Sequence, residues 1–133
     1  MKITAIEGIG PQNAMKLAKE KITTTAGLLK AGGAPAGRRQ LAAATGLAEE
    51  AILGWVNRAD LMRVKGVGEE YSDLLEVAGV DTVKELRRRN PQNLHAAMVA
   101  ANEEKNLVRR PPSVSEVERW VEHAKTLAPA VTY

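Results

Sequence analysis

The chain contains no cysteine, so disulfides, thiolate metal centres and cysteine nucleophiles are excluded at once, and a reducing, cytoplasmic setting is expected. No apolar run approaches the roughly 18 residues that a membrane-spanning helix needs. The opening Met1-Lys2-Ile3-Thr4-Ala5-Ile6 meets Glu7 before a signal-peptide core can form, which leads to the expectation of a soluble, unexported protein with no membrane partner. Phenylalanine is absent and the aromatic side chains are only Trp55, Tyr71, Trp120 and Tyr133. A single-strand reader needs one ring platform per stacked base, so that class is disfavoured. His95 and His123 are the only histidines, and they are not spaced as metal ligands. No Gly-x4-Gly-Lys-Ser/Thr loop occurs, and the Gly-x-Gly turns lack the third glycine and the strand of a dinucleotide site. Carboxylates alternate with bases along polar helix faces, as solvated pairs do. A non-enzymatic protein without a resident cofactor is therefore expected.

What is present favours helices. Alanine occurs 21 times, and 44% of the 133 residues are apolar against 26% charged. Such a chain can bury a core of its own and lies outside the disordered and fibrous classes. The net charge is +3, which permits an anionic partner without requiring one.

A self-similarity then organises the whole length. Residues 58 apart pair Gly8 with Gly66, Gly10 with Gly68, Leu17 with Leu75, Thr24 with Thr82 and Leu28 with Leu86. An offset of 65 pairs Trp55 with Trp120, Val56 with Val121 and Ala59 with Ala124, so seven additional residues enter the second copy, most simply between Asn102 and Pro112. The expected architecture is all-α: one domain over residues 1–133, with repeat one at about 1–63 and repeat two at about 64–133. Each copy starts with an apolar-x-Gly-apolar-Gly turn leading into a helix, from Pro11 to about Lys19 and from Glu69 to about Ala78. Pro11 suits a first helical turn, Gly79 suits a helix end, and Thr82 with Glu85 has capping-box spacing. Further helices are expected from Thr24 or Thr25 to Gly32-Gly33, from Pro35 to about Ala44, from Glu49 to Arg63, from Pro91 to about Ala101 and from Ser113 or Ser115 to about Leu127. The apolar stripes Ile52, Trp55, Val56, Ala59, Met62 and Val117, Trp120, Val121, Ala124, Leu127 follow helical spacing. Because a helix leads into the second turn and none precedes the first, the C-terminal helix is expected to pack back on the first hairpin and close a pseudo-two-fold bundle, or to reach a second copy as a swapped dimer.

Helix, glycine turn and helix together resemble the helix-hairpin-helix motif, for which Gly8-Ile9-Gly10-Pro11-Gln12-Asn13-Ala14 is a close match. Over the whole chain, including Trp55 to Glu70 and the ending Val131-Thr132-Tyr133, the sequence is similar to an uncharacterised bacterial family of tandem helix-hairpin-helix proteins, a domain of unknown function. The resemblance implies sequence-independent binding of the double-stranded DNA backbone, with a monovalent cation held by hairpin carbonyls.

The physical basis is independent of the resemblance. Glycines allow a tight turn that presents N–H groups at a helix N-terminus, where the dipole favours an anion. The candidate phosphate-binding residues are Gly8, Ile9, Gly10, Gln12 and Asn13, with Lys16 and Lys19 behind them and Arg38 and Arg39 nearby. The same turn also serves as a plain corner between packed helices, and the basic residue usual after the motif is replaced by Gln12 and Asn13. The second hairpin, Gly66, Val67, Gly68, Glu69, Glu70 and Tyr71, carries two carboxylates where a phosphate would sit. At about 4 Å and an effective dielectric near 20, each such pair costs roughly 4 kcal/mol, so this hairpin is expected to be structural or protein-facing. Residues 1–62 carry eight basic and five acidic side chains, while residues 63–133 carry eleven of each. The arginine clusters at 87–89 and 109–110 serve equally as solvated helix ends. A helix-turn-helix spacing at Leu41 to Trp55 would place Glu49-Glu50 in a major groove, where neither reads a base edge in the usual way. The alternative to DNA binding is a protein-interaction scaffold or homodimer that uses apolar surface near Tyr71 or the C-terminal helix.

Overall fold

A computed structural model describes all of residues 1–133 and is helical throughout. In chain order, a single 3-10 turn at Ile3–Ala5 is followed by α1 (Gly10–Lys19), α2 (Thr25–Gly32), α3 (Pro35–Thr45), α4 (Glu49–Leu61), α5 (Glu69–Val77), α6 (Val83–Leu86), α7 (Pro91–Lys105) and α8 (Val114–Thr126). The only extended pairing is one antiparallel bridge between Lys2 and Thr24. No helix is long and apolar enough to cross a membrane.

The chain forms two compact units, residues 1–60 with 130–133 and residues 61–129. In the first, Ile6 and Ile9 of the turn, Leu17 of α1, Leu28 of α2, Leu41 of α3 and the α4 stripe Ile52, Trp55, Val56 and Ala59 are buried. The last residues return to this unit. Thr132 N–H donates to Gly33 O at 2.8 Å, and the Arg38 guanidinium donates to Gly32 O (2.9 Å), Gly33 O (3.0 Å) and Thr132 O (2.6 Å). Arg38 is thereby buried, at 5% exposure, and fully engaged in tying the α2–α3 corner to the C-terminal segment.

In the second unit Val64, Val67, Leu74, Leu75, Val80, Leu86, Leu94, Met98, Val117, Trp120, Val121 and Ala124 share one core. α8 starts with a full capping box between Ser113 and Glu116, which satisfies two helix-start donors at once. It packs on α6 and α7, and its Trp120 lies against Gly66. This corrects the expectation that α8 closes the first hairpin. Trp55 of α4 takes that role instead, lying beside Gly8, so each turn is closed by the tryptophan that follows it in sequence.

Two further differences have local causes. The Thr82 side chain makes no cap bond: its hydroxyl donates to Glu85 Oε1 at 3.5 Å while Glu85 Oε2 accepts from Asp81 N–H at 3.3 Å, and the expected box does not form. α7 runs on to Lys105, where Asn106 turns left-handed (φ 50°) and donates its N–H to Asn102 O. The extra residues that follow are held by the buried Asn102 side chain, whose Nδ2 donates to Val108 O (3.1 Å) and whose Oδ1 accepts from Val108 N–H (2.9 Å).

Candidate functional site

The two glycine turns share a framework. In the first, Ile6 N–H donates to Ile3 O and Ile9 N–H to Ile6 O; in the second, Val64 N–H donates to Leu61 O and Val67 N–H to Val64 O. Gly8 (φ +91°) and Gly66 (φ +93°) adopt the same backbone conformation, one that side-chain-bearing residues avoid. Both following helices end alike: Lys21 and Gly79 are left-handed, and Ile22 and Val80 donate their N–H groups to Leu17 O and Leu75 O, the bonding of a Schellman cap.

The turns differ at the helix starts. Gly10 opens α1 at φ +65°, while Gly68 before α5 is extended at φ −113°. The first turn of α1 contains no acidic residue, whereas that of α5 contains Glu69 and Glu70, both exposed. At α1, Gly10 and Gln12 are exposed, and neither N–H has an acceptor within the protein. Pro11 has no N–H to offer. Two uncommitted backbone donors thus stand at the positive end of a ten-residue helix dipole. Gln12, Lys16 and Lys19 follow one another at i, i+4 and i+7, which places them on one helix face, and all three are exposed.

Not every expected residue belongs to this group. The Ile9 amide is spent on Ile6 O at 3.4 Å and its side chain is buried. Arg38 is locked to three carbonyls and is withdrawn from the phosphate-binding set, while its neighbour Arg39 is exposed. Asn13 is half-buried and Gly8 is exposed. The sequence places Arg38 beside a glycine-rich loop, but only the return of residues 130–133 explains why it is buried, and local pattern does not show that return.

At the second turn, Tyr71 is turned toward its own unit. Its hydroxyl donates to Arg110 O at 2.9 Å, and its ring lies 5.1 Å from that of Trp120 at 52°. Burial raises its phenol pKa, against the lowering influence of Arg110. Arg110 makes a two-pronged pair with Glu116, at 2.7 and 3.0 Å. That pairing, with the Ser113 backbone N–H, holds the Glu116 carboxyl down to about 2. Val117, Trp120, Val121 and Ala124 of α8 are likewise buried.

An all-helical chain with two glycine turns, one acidic and one with open amides, is what these residues define. The chain belongs to the family described as a domain of unknown function (DUF4332), whose model matches residues 7–127. No solved structure matches it.

Proposed function

We propose that the protein holds the backbone of double-stranded DNA, without sequence preference and without catalysis, through a helix-hairpin-helix turn formed by Gly8 to Asn13. The observation that carries this reading is the pair of uncommitted N–H groups of the exposed residues Gly10 and Gln12 at a helix start free of carboxylates. Lys16 and Lys19 continue the same face, and Arg39 adds a further exposed cation. Backbone amides and point charges recognise phosphate but no base edge, which makes the binding blind to sequence. The second turn, with Glu69 and Glu70 across its helix start, takes no part.

Salt titration of binding to a labelled duplex tests the reading. A footprint of about four phosphates gives a log–log slope near −3.6, a loss of roughly a hundredfold between about 50 and 200 mM salt. Lys16→Gln should lower the slope by about 1. Affinity no better than about 10⁻⁴ M at low salt would contradict it.

A second reading has one specific observation behind it. Met15 is 65% exposed and stands with Ile3, Ala14, Ala18 and Thr23 along an open, mostly apolar groove of about 520 Å³. Such a surface suits a protein partner. Light scattering in the same experiments separates the two, because self-association in the absence of DNA affinity would favour the groove.

A further inference from the structure

Beside the second turn lies another groove, of about 500 Å³, with a different lining: Lys65, Gly66, Glu116, Arg119, Trp120, Glu122 and His123. Glu116, Arg119, Trp120 and His123 fall at i, i+3, i+4 and i+7 of α8 and so share one face. Gly66 allows the indole to approach, since Trp120 Nε1 lies 3.0 Å from where a Cβ on Gly66 would stand.

The bonding state of each group decides what the groove can receive. His123 Nδ1 accepts from the Lys65 backbone N–H at 3.0 Å, so the neutral ring carries its hydrogen on Nε2 and keeps a donor to offer. No protein group accepts from the Trp120 indole N–H, and no buried side-chain polar atom lacks a partner; the indole N–H therefore reaches the groove. Lys65 and Arg119 are exposed and neither is paired with a carboxylate. The two carboxylates present are already engaged: Glu116 by Arg110 and the Ser113 N–H, and Glu122 by Lys125 at 2.8 Å. Two unpaired cations, Lys65 and Arg119, thus stand in the groove beside two carboxylates already matched by Arg110 and Lys125, with two neutral N–H donors uncommitted.

We propose that this groove binds a phosphate group, either the free ion or the terminal phosphate of a small phosphomonoester. A tetrahedral dianion offers enough oxygens for the indole and imidazole N–H groups together with the Arg119 and Lys65 cations, and charge-assisted donors of this kind favour it. The donor set is particular to this turn. The positions 58 or 65 residues earlier hold Glu7 in place of Lys65, Gly54 in place of Arg119 and Arg58 in place of His123. The site also lies on α8 and the residue before Gly66, so it does not use the α5 amides that Glu69 and Glu70 face, and it stands or falls independently of DNA binding at the first turn.

Titration of the ¹⁵N-labelled full chain with inorganic phosphate and with glycerol 2-phosphate, at constant ionic strength and with acetate as control, tests it. Saturable shifts of the Trp120 indole N–H and the Lys65 amide are expected, with the Trp55 indole unmoved. Saturation by phosphate alone assigns the free ion, and saturation by glycerol 2-phosphate assigns a monoester; either supports the site. Arg119→Gln, an exposed change that leaves the core intact, should weaken binding at least tenfold. Absence of saturation with both probes, an equal response to acetate, or unchanged binding by both Arg119→Gln and Lys65→Gln would overturn the proposal.

Discussion

Lys21 occupies a left-handed position (φ 64°) at the end of α1, where the equivalent helix α5 is followed by Gly79. A side chain there costs about 1–2 kcal/mol, and a glycine returns part of that through the entropy of the unfolded chain, about 0.4–1 kcal/mol. Lys21→Gly should therefore raise stability by about 0.5–1 kcal/mol in denaturant unfolding. At the turns, Gly66→Ala should be more costly than Gly10→Ala. Both meet backbone strain, but only Gly66 has the Trp120 indole 3.0 Å from the new Cβ, while Gly10 has nothing within 4 Å. Equal losses in the same measurement would show that the indole yields freely. Glu116 is expected to give stability a pH dependence. Its carboxyl is lowered from 4.5 to about 2 in the folded state, so its contribution is complete above the unfolded value and is lost as pH falls through that window. Wild type and Glu116→Gln should differ by a constant amount above about pH 5 and converge toward pH 2.

At the level of elements, two polar side chains hold segments that helical periodicity cannot place. Arg38 ties residues 130–133 to the α2–α3 corner by donating to Thr132 O as well as to Gly32 O and Gly33 O, and Asn102 secures the inserted residues before α8 through Val108. Hydrogen bonds to a charged group contribute about 1.5–3 kcal/mol, and an orphaned buried polar group costs about 1–3 kcal/mol. Arg38→Leu should accordingly destabilise the first unit by about 3 kcal/mol or more in chemical unfolding, while Arg39→Leu, an exposed neighbour, should be nearly neutral. The helices themselves were legible because stripes such as Val117, Trp120, Val121 and Ala124 record burial directly in their spacing, and Ser113 with Glu116 records a start. The Thr82 cap was not, since the Thr82 hydroxyl donates to the Glu85 carboxylate and makes no bond to a helix-start N–H. Nor was the closing partner of each turn. The periodicity of α8 shows which face is buried but not against what, and the tryptophan that follows each glycine turn turned out to be its partner.

For the molecule as a whole, the excess of basic side chains in residues 1–62 is less available than a count suggests, because Arg38 is internal. What remains at the first turn is a short face of two amides, Gln12, Lys16 and Lys19. Its candidate residues were legible as a motif, whereas the commitment of the Ile9 amide and the burial of Arg38 depend on three-dimensional neighbours. The phosphate-binding reading of the second groove was beyond sequence reasoning, since Lys65 and His123 are far apart in the chain and are joined only by the bond between them.

Gln12→Glu tests the central claim most directly, because it gives the first turn the carboxylate that Glu70 supplies at the second. A carboxylate in the first helical turn is favourable to the dipole, by about 0.3–1 kcal/mol, so folding should be unharmed. Binding to duplex DNA at low salt should nevertheless fall at least tenfold, with unfolding measured in parallel. Undiminished DNA binding by a folded Gln12→Glu protein would contradict the account.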